Sequence, residues 1–531
     1  MGAEAQPQRK RITTFEEWQE LAKKAKRKWL IYGIEDKPPS WALTIALGIQ
    51  QYLIMFGATI AVPMILSSVI ASTYQIPEEV TRRFLAELVT ITFFVAGIST
   101  LLQTWPKTGS GLPIIQGTSF SFLGPAISII TATTIIPQLE GFKSLEEFIA
   151  NTDPYARAAI VASYVSTAVF TASLFEIILG YSGIMGKLKR VITPVSIGPT
   201  VMMIGLTLFS APGANNFHGC WWEGVLVILL IILFNQVIGS KYVKIQMFSI
   251  LISILLAWVI AAALTLSGII GGACAINLYT LEHMVKTGYY VRPPIPFPWG
   301  PPKFVPAFTL GMLAGYLASM VESIGDYHSV CRMSEAPPPT EKMISKGLGA
   351  EGLGCFIGGI FGAMAGTTSY SENIGAIGLT RVASRIVFQV GGVIILFLGG
   401  ILYVWGAFMA TMPFPIVAGM YFATFGLIAA VGISLLSIAD LKSARNLFIV
   451  GLASFAGLAV PYIMDNPNWA GVTGAQLVQN AFPPEWQWLA QIIIIILRTG
   501  MAVAAIIGII LDNVLPGTPE ERGLTHPDWV G

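Results

Sequence analysis

Three carboxylates and an amide stand where polar side chains are costly. Glu322 and Asp326 lie four residues apart in Ser319-Met320-Val321-Glu322-Ser323-Ile324-Gly325-Asp326-Tyr327, at the end of an apolar run that begins near residue 307. Glu372 and Asn373 sit in the hydroxyl-rich stretch from Gly366 to Arg385, between the apolar, glycine-rich segment 348–365 and the hydrophobic run 386–410. An ionisable group at membrane depth costs somewhere between about 2.5 and 17 kcal/mol, and it persists mainly where it faces a cavity, a partner or a permeating molecule. Residues i and i+4 share one helix face, so Glu322 and Asp326 point the same way. Glu322 and Glu372 meeting across one cavity would offer acceptors to a ligand rich in N–H donors. One of them could hold a proton, because like charges at close range resist joint ionisation. For Asp326 a solvated helix end is an equal alternative, and His328 is placed beyond that end as an ordinary polar residue.

The elements that must hold these groups are membrane spans. Of 531 residues 54% are hydrophobic and only 11% charged, and the mean hydropathy is +0.69, whereas soluble domains are about 25% charged. The expectation is an all-α polytopic membrane protein. Apolar segments of spanning length run near 43–66, 86–104, 159–181, 193–211, 221–238, 247–267, 307–325, 350–365, 388–410, 414–434, 446–464 and 488–511. Two shorter ones, 117–135 and 374–386, each follow an extended Ser/Thr-rich stretch, as a half-helix entered from a short strand would, giving fourteen elements. A net charge of +2 gives no ground for a nucleic-acid partner. Arg9, Lys10, Arg11, Lys23, Lys24, Lys26, Arg27 and Lys28 crowd the N-terminus, and basic residues recur at Lys187, Lys189, Arg190, Lys241, Lys244, Arg332, Lys342, Lys346, Arg385, Lys442 and Arg445. By the positive-inside rule these loops and both termini are cytoplasmic; Arg82 and Arg83 run against it. Residues 1–40 read as a tail whose amphipathic part lies on the membrane surface.

The two short elements are internally similar. Gly117-Thr118-Ser119-Phe120-Ser121 precedes one and Gly366-Thr367-Thr368-Ser369-Tyr370-Ser371 the other. An offset of seven elements, an odd number, sends the second copy into the membrane from the opposite side. Paired broken helices at corresponding positions point to a transporter's midplane site, and non-helical backbone is tolerated at that depth only where it lines a cavity. Four cysteines in no metal-ligand spacing exclude a zinc or iron–sulfur reading. Cys220 and Cys274 fall in loops placed outside, where a disulfide could form, although two free thiols are the first expectation.

Glu372-Asn373-Ile374-Gly375 followed by Thr380-Arg381 is similar to the signature of the nucleobase-ascorbate transporter family. The Glu322-Ser323 helix, Ala336-Pro337-Pro338-Pro339, Ala350-Glu351-Gly352, Ser443-Ala444-Arg445-Asn446 and Pro516-Gly517-Thr518-Pro519-Glu520-Glu521-Arg522-Gly523 resemble the same family, especially its animal and plant branches, over about residues 30–525. The resemblance implies fourteen spans in two inverted repeats of seven, short strands at broken helices 3 and 10, and a homodimer in the bilayer. It implies a cytoplasmic tail (1–40), a core domain (41–190 and 304–411), a gate domain (191–303 and 412–513) and a C-terminal tail (514–531).

Carried over residue by residue, Glu322 and Glu372 anchor substrate, Ser119 and Phe120 add a backbone contact and a ring for stacking, and Asn373 braces the site. Glu351, Gln50 and Arg381 support the core. The family's first span commonly has Gln-His where this chain has Gln50-Gln51, so a coupling histidine is missing there. Asp326, Gln51 and Thr118 then become the expected ligands of a coupling sodium ion, with a proton on Glu322 as the alternative. The expected function is cation-coupled import of nucleobases, uracil or purines such as xanthine, across the plasma membrane by an elevator-type movement. Ascorbate carriers of the family have Pro at position 372, which sets ascorbate second. An anion exchanger fits poorly with two carboxylates. An intramembrane enzyme lacks a nucleophile–histidine pair or metal cluster, and no cofactor is expected.

Overall fold

The computed structural model describes residues 14–24, 30–184, 191–207, 220–242, 245, 249–468, 471–483 and 486–526. Arg9, Lys10, Arg11, Lys26, Arg27, Lys28, Lys187, Lys189, Arg190 and Lys244, among the charges used for topology, lie outside the described residues.

The chain is built of helices whose starts follow local sequence. α1 spans Phe15–Lys24, α2 Trp41–Tyr74 and α3 Glu78–Thr104. Ser40 caps α2 by accepting the Leu43 amide at 3.2 Å, satisfying one of the donors a helix start leaves open. Gln75 ends it in the left-handed conformation. β1, Gln116–Thr118, leads through a single tight turn at Phe120–Phe122 into α4, Leu123–Ile130. α5, Pro154–Tyr181, starts on Asp153, whose carboxylate accepts the amides of Tyr155 and Ala156. α6 (Pro194–Thr207), α7 (Trp221–Ile232) and α8 (Ser249–Leu266) complete the first half.

The second half begins with α9, Pro306–Met333, followed by α10, Glu341–Ile360, β2, Thr367–Ser369, and α11, Ser371–Thr380. Then come α12 (Arg385–Ile394), α13 (Tyr403–Met409), α14 (Phe414–Leu436), α15 (Ala444–Asp465), α16 (Gln487–Arg498) and α17 (Gly500–Val514). By length and apolarity α2, α3, α5, α9 and α15 each suffice to cross a membrane, and two helix pairs, bent by 89° and 91°, pass the same test only when each pair is taken together.

Several boundaries differ from those the sequence suggests. α9 does not stop at Gly325 but runs eight residues further to Met333, so His328 lies inside the helix and is 6% exposed; no breaker intervenes before Glu335, whose φ is +49°, and Pro337. The hydrophobic run 388–410 is divided, because a wider turn at Ile395–Gly399 separates α12 from α13. There Gly399 and Gly400 let the chain press onto Phe93 and Phe94 of α3. The run 488–511 breaks at Thr499 with the 91° bend. Cys220 and Cys274 are joined, with Cα atoms 5.4 Å apart, rather than free. The lead helix α1 is not a simple surface helix. Trp18 is fully buried, its indole Nε1 donates to the Pro337 carbonyl at 2.8 Å, and Phe15 stacks beside it under the Arg385 guanidinium. Arg385 in turn pairs with Glu35. Arg82, though placed against the charge rule, is 3% exposed and held by Glu78 and the Ala410 carbonyl.

β1 and β2 pair antiparallel in a two-stranded sheet, Gly117 opposite Thr368. α2, α3, α9 and α10 pack against this pair, with α5 packed on α10 and α12 on α2 and α3, while α6, α14, α15 and α17 pack together beside them. Glycine makes the closest approach possible: a Cβ on Gly117 would lie 2.7 Å from the Tyr370 hydroxyl.

Candidate functional site

The strand pair sits in the middle of the protein and sends a helix out at each end. Beyond the ladder, the Ser119 amide donates to the Gly366 carbonyl at 2.9 Å and the Tyr370 amide to the Ile115 carbonyl at 3.0 Å. The tight turn at Phe120 and the start of α11 at Ser371 therefore leave the pair in opposite directions. Helix starts present unpaired N–H groups and the positive end of the backbone dipole. Tyr370 locks the crossing: its hydroxyl donates to the Thr118 carbonyl at 3.0 Å and accepts from Thr59 at 3.3 Å.

A cavity of about 510 Å³ opens against this crossing. Thr118, Ser119, Phe120, Glu322, Asp326, Thr368, Ser369, Tyr370, Ser371 and Glu372 line it on the strand side. Val201 of α6 and Ser434, Leu435, Ser437 and Ile438 at the end of α14 line the opposite wall. Arg332 and Met333, at the far end of α9, and His526 line it as well. Glu322 accepts from the Ser121 hydroxyl at 3.1 Å. Asp326 is 7% exposed, so it is no solvated helix end; its Oδ1 accepts from the Ser371 hydroxyl at 2.9 Å, and its buried Oδ2 has no hydrogen-bond partner. Three carboxylates, a phenyl ring and several hydroxyls thus face one volume. Such a surface suits a small planar molecule with N–H donors, or a cation, with Arg332, His328 and His526 on the same lining.

The supporting residues divide more sharply than the sequence implied. Glu351 is fully buried behind the strands and receives four donors: Gln116 Nε2 at 2.9 Å, Ser323 Oγ at 2.6 Å, Tyr327 Oη at 2.9 Å and Ser369 Oγ at 2.7 Å. One carboxylate thereby ties β1, β2 and α9 to α10. Asn373 is fully buried and its amide nitrogen donates at 2.9 Å to both the carbonyl and the side-chain oxygen of Gln51, pinning α11 to α2. Gln51 is accordingly spent on Asn373 and does not line the cavity, whereas Thr118 and Asp326 do. Gln50 is half-buried on another face of α2 and also lies outside the cavity lining. Arg381 has an exposed side chain; it ends α11 at φ +60° and its carbonyl accepts the amides of Ile31 and Tyr32. Its contribution is made by backbone.

Residues that sequence reasoning passed over include Ser121, Ser371, Gln116, Ser323, Tyr327 and Ser369, each a hydrogen-bond donor to one of the carboxylates. Hydroxyls flanking an intramembrane acid were the available signal. Ser434 and Ser437, serines in an otherwise apolar span, were a similar signal for the opposite wall. His328 joins the cavity lining, and its Nδ1 lies 2.8 Å from the Ile324 carbonyl.

Residues 42–465 match a family described as Permease family. Mouse solute carrier family 23 member 2 is 36% identical over 524 residues, covering 93% of this chain and 76% of that protein. Nucleobase-ascorbate transporter 2 of Arabidopsis thaliana is 30% identical over 511 residues, covering 94% of this chain and 91% of that one. Among solved structures, the transmembrane domain of a cyanobacterium bicarbonate transporter, BicA, aligns over 86% of this chain and 97% of that one at 15% identity with a TM-score of 0.43. The long apolar helices and the extent of these sequence matches lead to one assignment: the chain belongs to the permease family of the solute carrier 23 and nucleobase-ascorbate transporters, and is a multi-pass membrane transporter.

Proposed function

We propose that this transporter imports nucleobases, uracil or a purine such as xanthine, together with a cation. The observation that carries the reading is the placing of Glu322 and Glu372, with the Phe120 ring, around one cavity at the starts of two broken helices. A nucleobase is flat, stacks on a ring, and carries adjacent N–H and C=O groups. Its N–H edge pairs with a carboxylate, and its C=O groups meet the backbone amides that helix starts leave open. The names of the plant relatives, nucleobase-ascorbate transporters, support the same substrate class.

Sodium is the preferred coupling ion. Asp326, with one carboxylate oxygen buried and without a partner, is its anchor, and Thr118 is close enough to the same cavity to share in it. The cavity lies between elements of the core (41–190 and 304–411) and of the gate (191–303 and 412–513), an arrangement that suits movement of one body past the other with substrate enclosed between them. Fourteen spans in two inverted repeats, a homodimer, a plasma-membrane location and cytoplasmic termini complete the reading. Ascorbate is the second candidate, through the family's other named substrate. Its negative charge would meet Glu322, Asp326 and Glu372 together, which disfavours it.

Thermal stabilisation of the purified transporter by uracil, xanthine, hypoxanthine, adenine, urate and ascorbate tests the assignment, since a ligand of the folded state stabilises by RT ln(1 + [L]/Kd). Stabilisation and proteoliposome uptake by one or more of the bases are the expected result. Stabilisation by ascorbate, with none by any base, overturns it.

A further inference from the structure

We propose that Glu176 carries a proton in the native transporter, forming with Glu351 a buried proton-binding site behind the strand pair and apart from the substrate cavity. Glu176 lies on α5, is fully buried, and has neither carboxyl oxygen hydrogen-bonded. It is not part of the cavity lining. α5 and α10 approach there almost backbone to backbone: a Cβ on Gly352, next in chain to Glu351, would lie 2.7 Å from the Ile177 amide nitrogen and 3.1 Å from the Glu176 carbonyl carbon.

The groups facing Glu176 offer it no positive charge. They are Glu351 and Cys355 on α10 and Tyr316 and Tyr327 on α9. On α3, fully buried Gln103 stands beside Tyr327. On α5 itself Ser173 is the neighbouring hydroxyl, and it donates to the Phe170 carbonyl. No ion pair reaches Glu176 among the described residues. A carboxylate without donor or counter-charge in such surroundings is strongly unfavourable, while the neutral acid is not.

A metal ion is a poor substitute for the proton. The Glu351 oxygens already receive four donors, and no group of three or more His, Cys, Asp or Glu among the described residues is placed to hold a metal. The two acids therefore differ in state: Glu351 ionised and held by four donors, Glu176 neutral. The proton is what allows the close α5–α10 contact beside the charged Glu351. Its loss would set a second negative charge against the hub that holds Ser323, next to Glu322, and Ser369, two residues from Ser371. The site thus reports on pH to the substrate cavity, whatever that cavity binds.

Two measurements on the purified full chain test this. The infrared spectrum of the wild type should contain a protonated-carboxyl carbonyl band at neutral pH that is absent from Glu176→Gln. Thermal stability should separate the two proteins as pH rises. With the acid protonated when folded and ionised when unfolded, the wild-type folding constant falls by roughly tenfold per pH unit above the ordinary glutamate range, and this component disappears in Glu176→Gln. The variant therefore gains on the wild type at alkaline pH while retaining substrate binding at neutral pH. An unchanged infrared band, or parallel stability curves, overturns the proposal. Glu176→Leu is the second variant: if it and Glu176→Gln both fail to fold while Glu176→Asp folds, the charge is required and the proposal is wrong.

Discussion

Glu372→Gln is the substitution that separates a substrate contact from a structural one most cleanly. Glu372 is the second residue of α11, on a helix start that no side chain caps, and its carboxylate borders the cavity. The exchange preserves shape and leaves the Asn373–Gln51 pin intact. It turns one acceptor into a donor and removes the charge. A hydrogen bond to a charged group contributes about 1.5–3 kcal/mol, roughly ten- to a hundredfold in affinity. A base presenting only N–H to this side chain should lose that much; a base that can turn a carbonyl toward the new amide should lose less. The ranking of ligands therefore shifts, with little change in expression or in melting temperature without ligand. Glu372→Pro is the harsher companion. In the first turn the proline removes an amide with no intrahelical partner, although Ser371 is then biased away from helix, and with no acceptor left base binding should vanish while the protein stays folded. The assay is ligand-induced thermal stabilisation beside radiolabelled uptake into proteoliposomes. An identical ligand ranking for Glu372→Gln, or undiminished uracil and xanthine uptake in folded Glu372→Pro, refutes the reasoning.

Other substitutions probe the surroundings. Gly117→Ala should destabilise by about 1–3 kcal/mol through overpacking against the hydrogen-bonded Tyr370 ring; an unchanged melting temperature would mean that the crossing has room to give. Asn373→Ala removes two neutral hydrogen bonds to Gln51, about 1–3 kcal/mol together, and should weaken substrate binding by releasing the start of α11, a reading that equal binding would remove. Uptake should fall when choline replaces sodium at constant pH, and Asp326→Asn should abolish that difference; transport that ignores sodium and follows an imposed pH gradient would favour the proton alternative.

The two polar stretches at 117–121 and 366–371 stood out in the sequence because each combines hydroxyls, glycine and an aromatic where a continuous span would be apolar. The sequence made Glu322, Glu372 and Asn373 legible because polarity at that depth needs a reason. What it could not show is which polar groups face each other. Gln50 and Gln51 are adjacent in sequence, yet about 100° of helical rotation separates them, and only Gln51 reaches Asn373. Glu351 and Glu176 were equally apolar in context, yet four donors surround one and none the other, a difference set by which helices approach them. Helix ends were the least legible feature. α9 continues past Asp326 through polar residues, where Tyr327 donates to Glu351 and the His328 and Ser329 side chains lie against carbonyls of α9 itself, and hydropathy registers only the loss of apolar character. The opposite wall of the cavity, from Val201 to Ile438, comes from helices remote in sequence and joined to the site by packing alone.

The carboxylates around the crossing sort themselves by how far their hydrogen-bonding capacity is filled. An ionised carboxylate has about four lone-pair positions; Glu351 is fully buried and meets four donors, three on Oε1 and one on Oε2, so its part is to fasten strands to helices. Glu322 receives the Ser121 hydroxyl, and Asp326 receives the Ser371 hydroxyl on one oxygen and nothing on the other. Those two, with Glu372, line the cavity, although Oδ2 of Asp326 is itself buried. Both donating serines lie at the beginnings of the broken helices, Ser121 after β1 and Ser371 after β2. The same short segments that end the strands therefore orient the acids of α9. A displacement of either helix start would move a serine, and with it the acid that accepts from it, while Glu351 held the strands. If substrate and cation bind there as proposed, they meet acids whose positions depend on one another through these two hydroxyls. Replacing Ser371 by alanine should consequently weaken the cation dependence of uptake more than it weakens substrate binding in the absence of the cation. Only the part of that hydrogen bond that differs between the cation-free and cation-bound states counts, so apparent sodium affinity should fall by less than the roughly ten- to a hundredfold that a whole charged hydrogen bond of about 1.5–3 kcal/mol represents. Equal losses in both measurements would show that Ser371 supports the fold of α11 and does not orient Asp326.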